Sequence, residues 1–412
     1  MMCSQKKSSL ILLIVSIFFQ SKLYAEGEKN TEKKLITHPF PQAKENLYSG
    51  MHCSYSATDR NRAVEHFYDL WKKKYLLKAR SVKDGYKVSF NKRHETVSEA
   101  IGYGMLITVQ MAGYDPNAQE YFDGLNLFRK AHPSKGNPAF MSWKVDDRKN
   151  SPTYSATDGD VDMAMALLMA EQQWGDPKYR KEALKIIHAV SKDLVRKDGS
   201  LRLGDWQVDK SVDKERGEGT RTSDFEMATF LAFYQLTKDG IWNRVEDRCY
   251  NTLEQLQREY APKTGLFPDF AVKQKDGKWA PAHKGFLEGD KDGDFGYNAC
   301  RVPWRIGFAA IYDAEPRAKR TAERLMKWVV STHEDPKDFK AGYRLDGTPI
   351  TDARSKMVFT APTGVAAMAT GHQKWLDKTF YLAAKTTDSY FNDSINMLCL
   401  LIMSENYWMP KY

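Results

Sequence analysis

Three acids in five residues, Asp158, Asp160 and Asp162, stand at the head of an apolar run made of Met163, Ala166, Leu167, Ala170 and Trp174. That spacing is one buried face of a helix, so the acids gather at its start. Free N–H groups and the helix dipole favour negative charge there, and an isolated Ala-Thr-Asp-Gly-Asp would serve as an ordinary cap. Carboxylates so placed can equally bond a hydroxyl-rich ligand or exchange protons with it. Ser98-Glu99 poses the same choice. Elsewhere an indole stands beside acids, in Gly204-Asp205-Trp206 followed by Thr220 to Phe225 with Asp224. A sugar ring suits such a site, because its apolar face stacks on indole while its hydroxyls bond carboxylates. Trp143 offers a further platform of this kind, although a tryptophan is also an ordinary core residue.

The longer pattern of Ala156, Thr157, Asp158, Asp160, Met163, Ala164, Ala166, Leu167, Ala170 and Trp174 resembles the signature of glycoside hydrolase family 8. Three more segments extend the resemblance over roughly residues 55–405. Thr96 to Met105 looks like the segment that carries the family's general acid, with Glu99 on the matching position. Such an acid must keep its proton near neutral pH, which takes desolvation or a neighbouring carboxylate. Tyr103, flanked by Gly102 and Gly104, is expected to let a sugar approach closely. Gly204 to Trp206 with Thr220 to Phe225 is the second segment.

The third runs from Gly285 to Asp294 and on through Tyr297 to Arg305. Its alternating acids invite a calcium-loop reading, which fails because Phe295 takes the required glycine position and Arg301 the required glutamate position. Most members of the family carry an Asp base just after the tyrosine. Here that position is Asn298, which cannot accept a proton from water. The resemblance is closest to the branch of chitosanases and some β-1,3-1,4-glucanases, in which Asn there accompanies a Glu in the preceding loop. Glu288 sits on that position.

The resemblance implies single-displacement hydrolysis with inversion. Glu99 would protonate the leaving oxygen and Glu288 would activate water on the opposite face, with carboxyls roughly 6.5–9.5 Å apart. Asp158 would bond the sugar at the cleavage point and favour its distorted ring. Tyr297 and Arg301 would position ligand or base. Tyr103, Trp143, Trp206, Asp224 and Asn298 complete the expected substrate contacts. No metal or organic cofactor is needed, and neither H-E-x-x-H nor G-x-S-x-G occurs.

The elements that must position these residues are helices. Helical runs separated by short Gly/Asp/Pro-rich loops lie near 60–76, 97–112, 117–131, 160–174, 178–195, 223–237, 241–259, 298–312, 316–331, 360–370, 374–385 and 390–404. Strand-like alternation is scarce, with Tyr86 to Phe90 the best short case. The pattern by itself gives an all-α chain. The resemblance implies an (α/α)6 barrel of about twelve helices in inner and outer rings, with the cleft at the N-terminal ends of the inner helices.

Lys6 and Lys7, the apolar stretch from Leu10 to Phe19 and a cleavage site ending at Ala25 read as a signal peptide over residues 1–25. An irregular lead-in is expected over 26–50 and a single catalytic domain over 51–412. The expected product is an exported monomer, periplasmic or secreted, with no membrane association after processing. Removing the leader lowers the net charge from +9 to +6. Lys and Arg are scattered over helix faces without interleaved aromatics, so no nucleic-acid partner is expected. Cys53, Cys249, Cys300 and Cys399 remain, and exported cysteines can oxidise, with three pairings open.

The expected partner is a polysaccharide, chitosan or β-glucan. Residues 286–294 carry four acids against Lys291, and residues 155–162 carry three acids and no base. Cationic chitosan is favoured on that asymmetry. The alternatives are a β-1,3-1,4-glucanase, a cellulase-type endoglucanase, which could belong to a cellulose-export system, and a catalytically silent glycan-binding protein.

Overall fold

Even-numbered and odd-numbered helices in the first third of the chain differ in one respect that organises the whole fold. Some are buried all round, and the others bury a single stripe. A computed structural model describes residues 36–42, 48–209, 211–354 and 356–412. The signal-peptide reading, and residues 26–35 and 43–47 of the lead-in, lie outside the described residues.

The helices are α1 (Ala57–Tyr75), α2 (Ser98–Gln110), α3 (Ala118–Ala131), α4 (Thr157–Trp174) and α5 (Pro177–Ala189). A single turn, α6 (Lys214–Gly217), precedes α7 (Met227–Thr237), α8 (Ile241–Tyr260) and α9 (Val302–Tyr312). Then follow α10 (Pro316–Thr332), α11 (Met357–Thr370), α12 (Gln373–Ala383) and α13 (Tyr390–Met403). All twelve expected helices are present. The C-terminal end of the expected 178–195 helix widens into a π-helical turn, Val190–Leu194. The starts expected at 223 and 298 open as 3₁₀ turns, Thr222–Asp224 and Ala299–Arg301.

Helices α2, α4, α7, α9, α11 and α13 form the inner ring, each packed on the next, with α13 closing onto α2. Helix α2 buries every residue from Ala100 to Gln110, and α13 buries every residue but Phe391. Such helices show no polar stripe because both faces meet protein. Helices α1, α3, α5, α8, α10 and α12 form the outer ring. Helix α10 buries Ala318, Thr321, Ala322, Leu325, Met326 and Val329, a stripe of period 3.6, and turns Arg317, Lys319, Arg320 and Glu323 outward. The alternation is the expected (α/α)6 barrel.

Strands are short and more numerous than expected. β1 (Leu76–Lys78) pairs antiparallel with β2 (Tyr86–Val88), and β3 (Glu95–Val97) with β4 (Lys144–Asp146). β5 (Gly219–Arg221), β6 (Phe270–Lys273) and β7 (Trp279–Pro281) make a three-stranded antiparallel sheet. Three-residue strands offer too little alternation to be read from sequence. They brace the loops on the cleft side of the barrel.

Two glycines set the spacing of α2 and α4 in the inner ring. A Cβ on Gly159 of α4 would lie 2.6 Å from the Ser98 carbonyl carbon, and one on Gly102 of α2 would lie 2.9 Å from Asp162 Cβ. The expectation that Gly102 and Gly104 admit a sugar is therefore corrected. Gly104 faces Val88 and Leu125 in the core. These glycines let helices approach, so the first turns of α2 and α4 lie side by side. All four described cysteines are free and buried, so no pairing forms among them.

Candidate active site

Glu99, Asp158, Arg301 and Tyr390 all lie at N-terminal ends of inner helices: α2, α4, the turn before α9, and α13. Arg221 and Asp224 stand just ahead of α7. The barrel geometry thus gathers residues from five helix starts at one end.

Arg301 is the hub. Its side chain is 1% exposed. Its Nη1 donates to Glu99 Oε2 at 2.6 Å and to Asp158 Oδ2 at 2.8 Å, and lies 3.2 Å from the Tyr103 hydroxyl. Its Nη2 donates to Asn298 Oδ1 at 3.1 Å, and Asn298 Nδ2 donates to Glu288 Oε2 at 2.9 Å. Only this orientation of the amide matches donor to acceptor at both ends. The second Glu99 oxygen accepts from the Tyr390 hydroxyl at 2.5 Å. Arg221 Nη2 meets Asp158 Oδ1 at 3.0 Å as an ion pair, with its N–H aimed off the hydrogen-bond direction. Arg221 Nε donates to Asp224 Oδ1 at 2.7 Å.

This arrangement separates the protonation states of neighbouring carboxyls. Burial raises Glu99 to about 7, against the pull of Arg301 and with a further push from Asp158. Burial also pushes Asp158 upward, but Arg221 and Arg301 overcome it and leave the group at about 2. Asp224 ends at about 6, because burial outweighs Arg221. Two carboxyls bound to one guanidinium therefore differ, one ionised and one holding its proton.

A second layer lies one turn deeper, roughly 6 Å along the helices. Arg305 donates to Asp162 at 3.2 Å and to Glu226 at 2.9 Å. Burial raises both acids, Glu226 more strongly, and Arg305 opposes it. These acids are spent on the barrel's interior.

Glu288 is exposed on its loop, which is nevertheless braced. The Asp292 carboxylate accepts the N–H groups of Leu287, Glu288 and Gly289 at 2.7, 3.1 and 3.0 Å. Asp269 accepts from the N–H groups of Gly296, Asn298 and Ala299 at 3.0, 3.0 and 2.6 Å, which fixes Asn298. Burial raises Asp269 to about 7, against those donors and with a smaller push from Glu288.

Glu288 borders two open cavities. One, of about 740 Å³, is lined by Trp143, Tyr154, Trp206, Arg221 and Leu287. The other, of about 490 Å³, is lined by Asp269, Tyr297, Ile350, Arg354 and Lys356. Trp143 and Tyr297 are 46% and 47% exposed, so both present ring surface to solvent. Ser98 N–H donates to the Trp143 carbonyl at 2.9 Å, which ties that platform to the start of α2.

Of the expected site residues, Glu99, Asp158, Tyr103, Asn298, Arg301 and Glu288 form one bonded cluster, and Trp143, Trp206 and Tyr297 line the cavities. Tyr103, within that cluster, and Asp224, beside it, are buried and bond arginines, Arg301 and Arg221 respectively, so their expected role in contacting substrate is corrected to positioning these arginines. Arg221, Tyr390, Asp269 and Asp292 were not expected. Arg221 falls inside the Thr220 to Phe225 segment, and Tyr390 opens the last inner helix, so position pointed to both. Asp292 stood in the acidic loop but gave no sign of its bracing role. Asp269 carried no signal, since its partners lie about thirty residues onward.

The acids counted toward a cationic substrate divide: Glu288, Asp290 and Asp292 line the second cavity, whereas Asp160 and Asp162 face the barrel's interior. Asp160 is buried and accepts from Met141 N–H at 2.9 Å, and Asp162 binds Arg305. Lys135, Arg216, Arg221, Lys291, Arg354 and Lys356 line the same two cavities.

Residues 41–405 match the model of the glycosyl hydrolases family 8. A beta-glucanase of Niallia circulans is 38% identical over 90% of this chain and 91% of its own length. An endoglucanase of Bacillus sp. (strain KSM-330) is 38% identical over 90% of this chain and 82% of its own. The apo structure of a beta-1,3-1,4-glucanase from Paenibacillus sp. X4 superposes with a TM-score of 0.85 at 37% identity, covering 90% of this chain and 99% of that one. With a match across nearly the whole barrel and a carboxylate cluster at its inner-helix starts, the chain belongs to glycosyl hydrolase family 8 and is a glycoside hydrolase.

Proposed function

We propose that the enzyme is an endo-acting, inverting β-glucanase that cleaves β-1,4 bonds in mixed-linkage β-1,3-1,4-glucan. The observation that carries this reading is the split between Glu99, at about 7, and its neighbour Asp158, at about 2, around Arg301. An acid that keeps its proton near neutral pH, linked through Arg301 and Asn298 to an exposed carboxylate, suits concerted hydrolysis.

Glu99 donates its proton to the leaving glycosidic oxygen. Glu288 takes a proton from water as that water attacks the anomeric carbon from the opposite face. The C–O bond breaks as the new one forms, so configuration inverts and no glycosyl-enzyme arises. Ionised Asp158 bonds the sugar at the cleavage point and stabilises positive charge on the ring. Asn298 aims Glu288, and the exposed Glu288 returns its proton to solvent. Cavities on both sides of Glu288 support cleavage within a chain.

The substrate follows from charge and from the named relatives. Asp160 and Asp162 are held inside the barrel, and six Lys and Arg side chains offset the acids that line the two cavities, which supports a neutral glucan over chitosan. Trp143, Trp206 and Tyr297 supply stacking surfaces that need no charge on the sugar. We read the protein as exported on its leader pattern, and as a monomer.

Product analysis on barley glucan, carboxymethylcellulose, xylan and chitosan, with NMR spectra of the first products, tests the proposal. Barley glucan should turn over fastest and release α-anomers first. Faster chitosan cleavage would overturn the substrate, and β-anomers the mechanism. Binding without turnover would mark a silent glycan-binding protein.

A further inference from the structure

A cavity of about 460 Å³ lies apart from the cleft, between the β1–β2 and β3–β4 pairs. Its walls carry Lys78, Arg80, Lys87, Arg93, His94 and Arg148. No carboxylate lines it. The nearest acids are already committed. Asp147 is buried and binds Lys87, the Ser81 hydroxyl and the N–H groups of Arg80 and Ser81. Asp146 accepts Arg148 at 3.1 and 2.9 Å. Glu95 faces Lys92, His94 and Lys144 at 3.7 to 3.9 Å.

That leaves Lys78, Arg80 and Arg93 around one cavity with no carboxylate within 4.0 Å among the described residues. Like charges held together gain nothing for the fold. An oxyanion between them would meet the forked donors of two arginines and the ammonium group of Lys78. We propose that this cavity is a second glycan site, which takes a saccharide bearing carboxylate or sulfate groups.

The lining selects among anions. Leu77 is its one apolar side chain and no Phe, Tyr or Trp lines it, so a nucleic-acid base finds no stacking surface broader than the His94 imidazole and a lipid surface no apolar anchor. The volume exceeds that of a lone phosphate and falls in the range of small-molecule sites. The choice of a saccharide as carrier rests on the carbohydrate-active reading above. The cavity also adjoins the machinery of that reading without touching it. β3 runs directly into α2, two residues before Glu99, and β4 follows Trp143.

The test is calorimetric titration of the full chain with trigalacturonate, with cellotriose, inorganic phosphate and a short single-stranded DNA as comparators. Hydrolysis of barley glucan is measured on the same samples. Trigalacturonate should bind, weaken as salt rises, and lose about tenfold in affinity for each arginine removed in Arg80→Ser and Arg93→Ser. Those two side chains are exposed and partner no acid, so both variants should keep wild-type melting temperature and glucan hydrolysis. Absent binding, or wild-type binding by both variants, would overturn the site. Phosphate or DNA binding as tightly as trigalacturonate would overturn its assignment to an acidic saccharide. Failure of the wild type to cleave glucan would strike only the proposed function, because binding is read separately.

Discussion

Asn298 holds Glu288 through its amide nitrogen at 2.9 Å while its amide oxygen accepts from Arg301 at 3.1 Å. The position where most of the family carries its base thus serves as a strut between a carboxylate and the arginine that also grips Glu99. An Asp at 298 could accept from Arg301 but could not donate to Glu288, and two carboxylates would then face one another. Asn298 and Glu288 form a matched pair for that reason.

Replacing the pair's members separates their roles. Glu288→Gln should nearly abolish turnover of glucan, with partial recovery on adding azide as an external nucleophile. Asn298→Ala should cost less, about tenfold, because positioning is lost and the carboxylate stays. Steady-state rates of the two folded variants decide this, and Glu288→Gln retaining most activity would sink the assignment.

Glu99→Gln should lose about 10²–10⁴-fold in turnover while oligosaccharide binding persists, the scale of a missing general acid. Near wild-type rates would remove Glu99 from the mechanism.

The protonation of Glu99 sets a pH window. Its proton is held up to about 7 against an ordinary value of 4.5, so turnover should decline as pH rises through about 7. Linkage gives the stability sign. A raised acid contributes stability that is complete below its unfolded value and is lost as pH rises through the folded one. Glu99→Gln should therefore stabilise the protein by about 2–3 kcal/mol at pH 8 and by little at pH 4. Urea denaturation at both pH values checks this, and an equal effect at both would contradict it.

Asp292 has three backbone donors on one carboxylate. Asp292→Ala should free the Glu288 loop and lower turnover by about 10–10²-fold without unfolding the barrel, since small misplacements of catalytic groups cost on that scale. Asp292→Asn, which keeps one accepting oxygen, should fall between. Unchanged rates in Asp292→Ala would show that the loop keeps its shape unaided.

Gly159→Ala would drive a methyl group to 2.6 Å from the Ser98 backbone. The expected cost is about 1–3 kcal/mol by denaturant titration. Turnover should fall with it, because α2 and α4 carry Glu99 and Asp158. A variant as stable and as active as wild type would show that the two helix starts have room to spare.

The sequence by itself determined the helices, their approximate ends and the acids at their starts. Amphipathic stripes such as that of α10 and all-apolar runs such as that of α13 are local patterns with a period of 3.6, and they need no partner to be read. Glu99, Asp158 and Glu288 were legible because a linear motif surrounds each. Only the tertiary structure decided what those acids do to one another. Arg301 meets Glu99 across 202 residues and Asp158 across 143, and ring closure, not proximity in sequence, makes those bonds. The same holds for Tyr390 on Glu99, Arg221 on Asp158, and Asp269 under Asn298. It also holds for the charge of the cleft-forming segments. Asp160 and Asp162 count as acidic in a linear tally, yet one turns its carboxylate to the Met141 N–H and the other to Arg305. Net charge along a segment is a property of composition, whereas the charge a cleft presents depends on which carboxylates the fold has already paired.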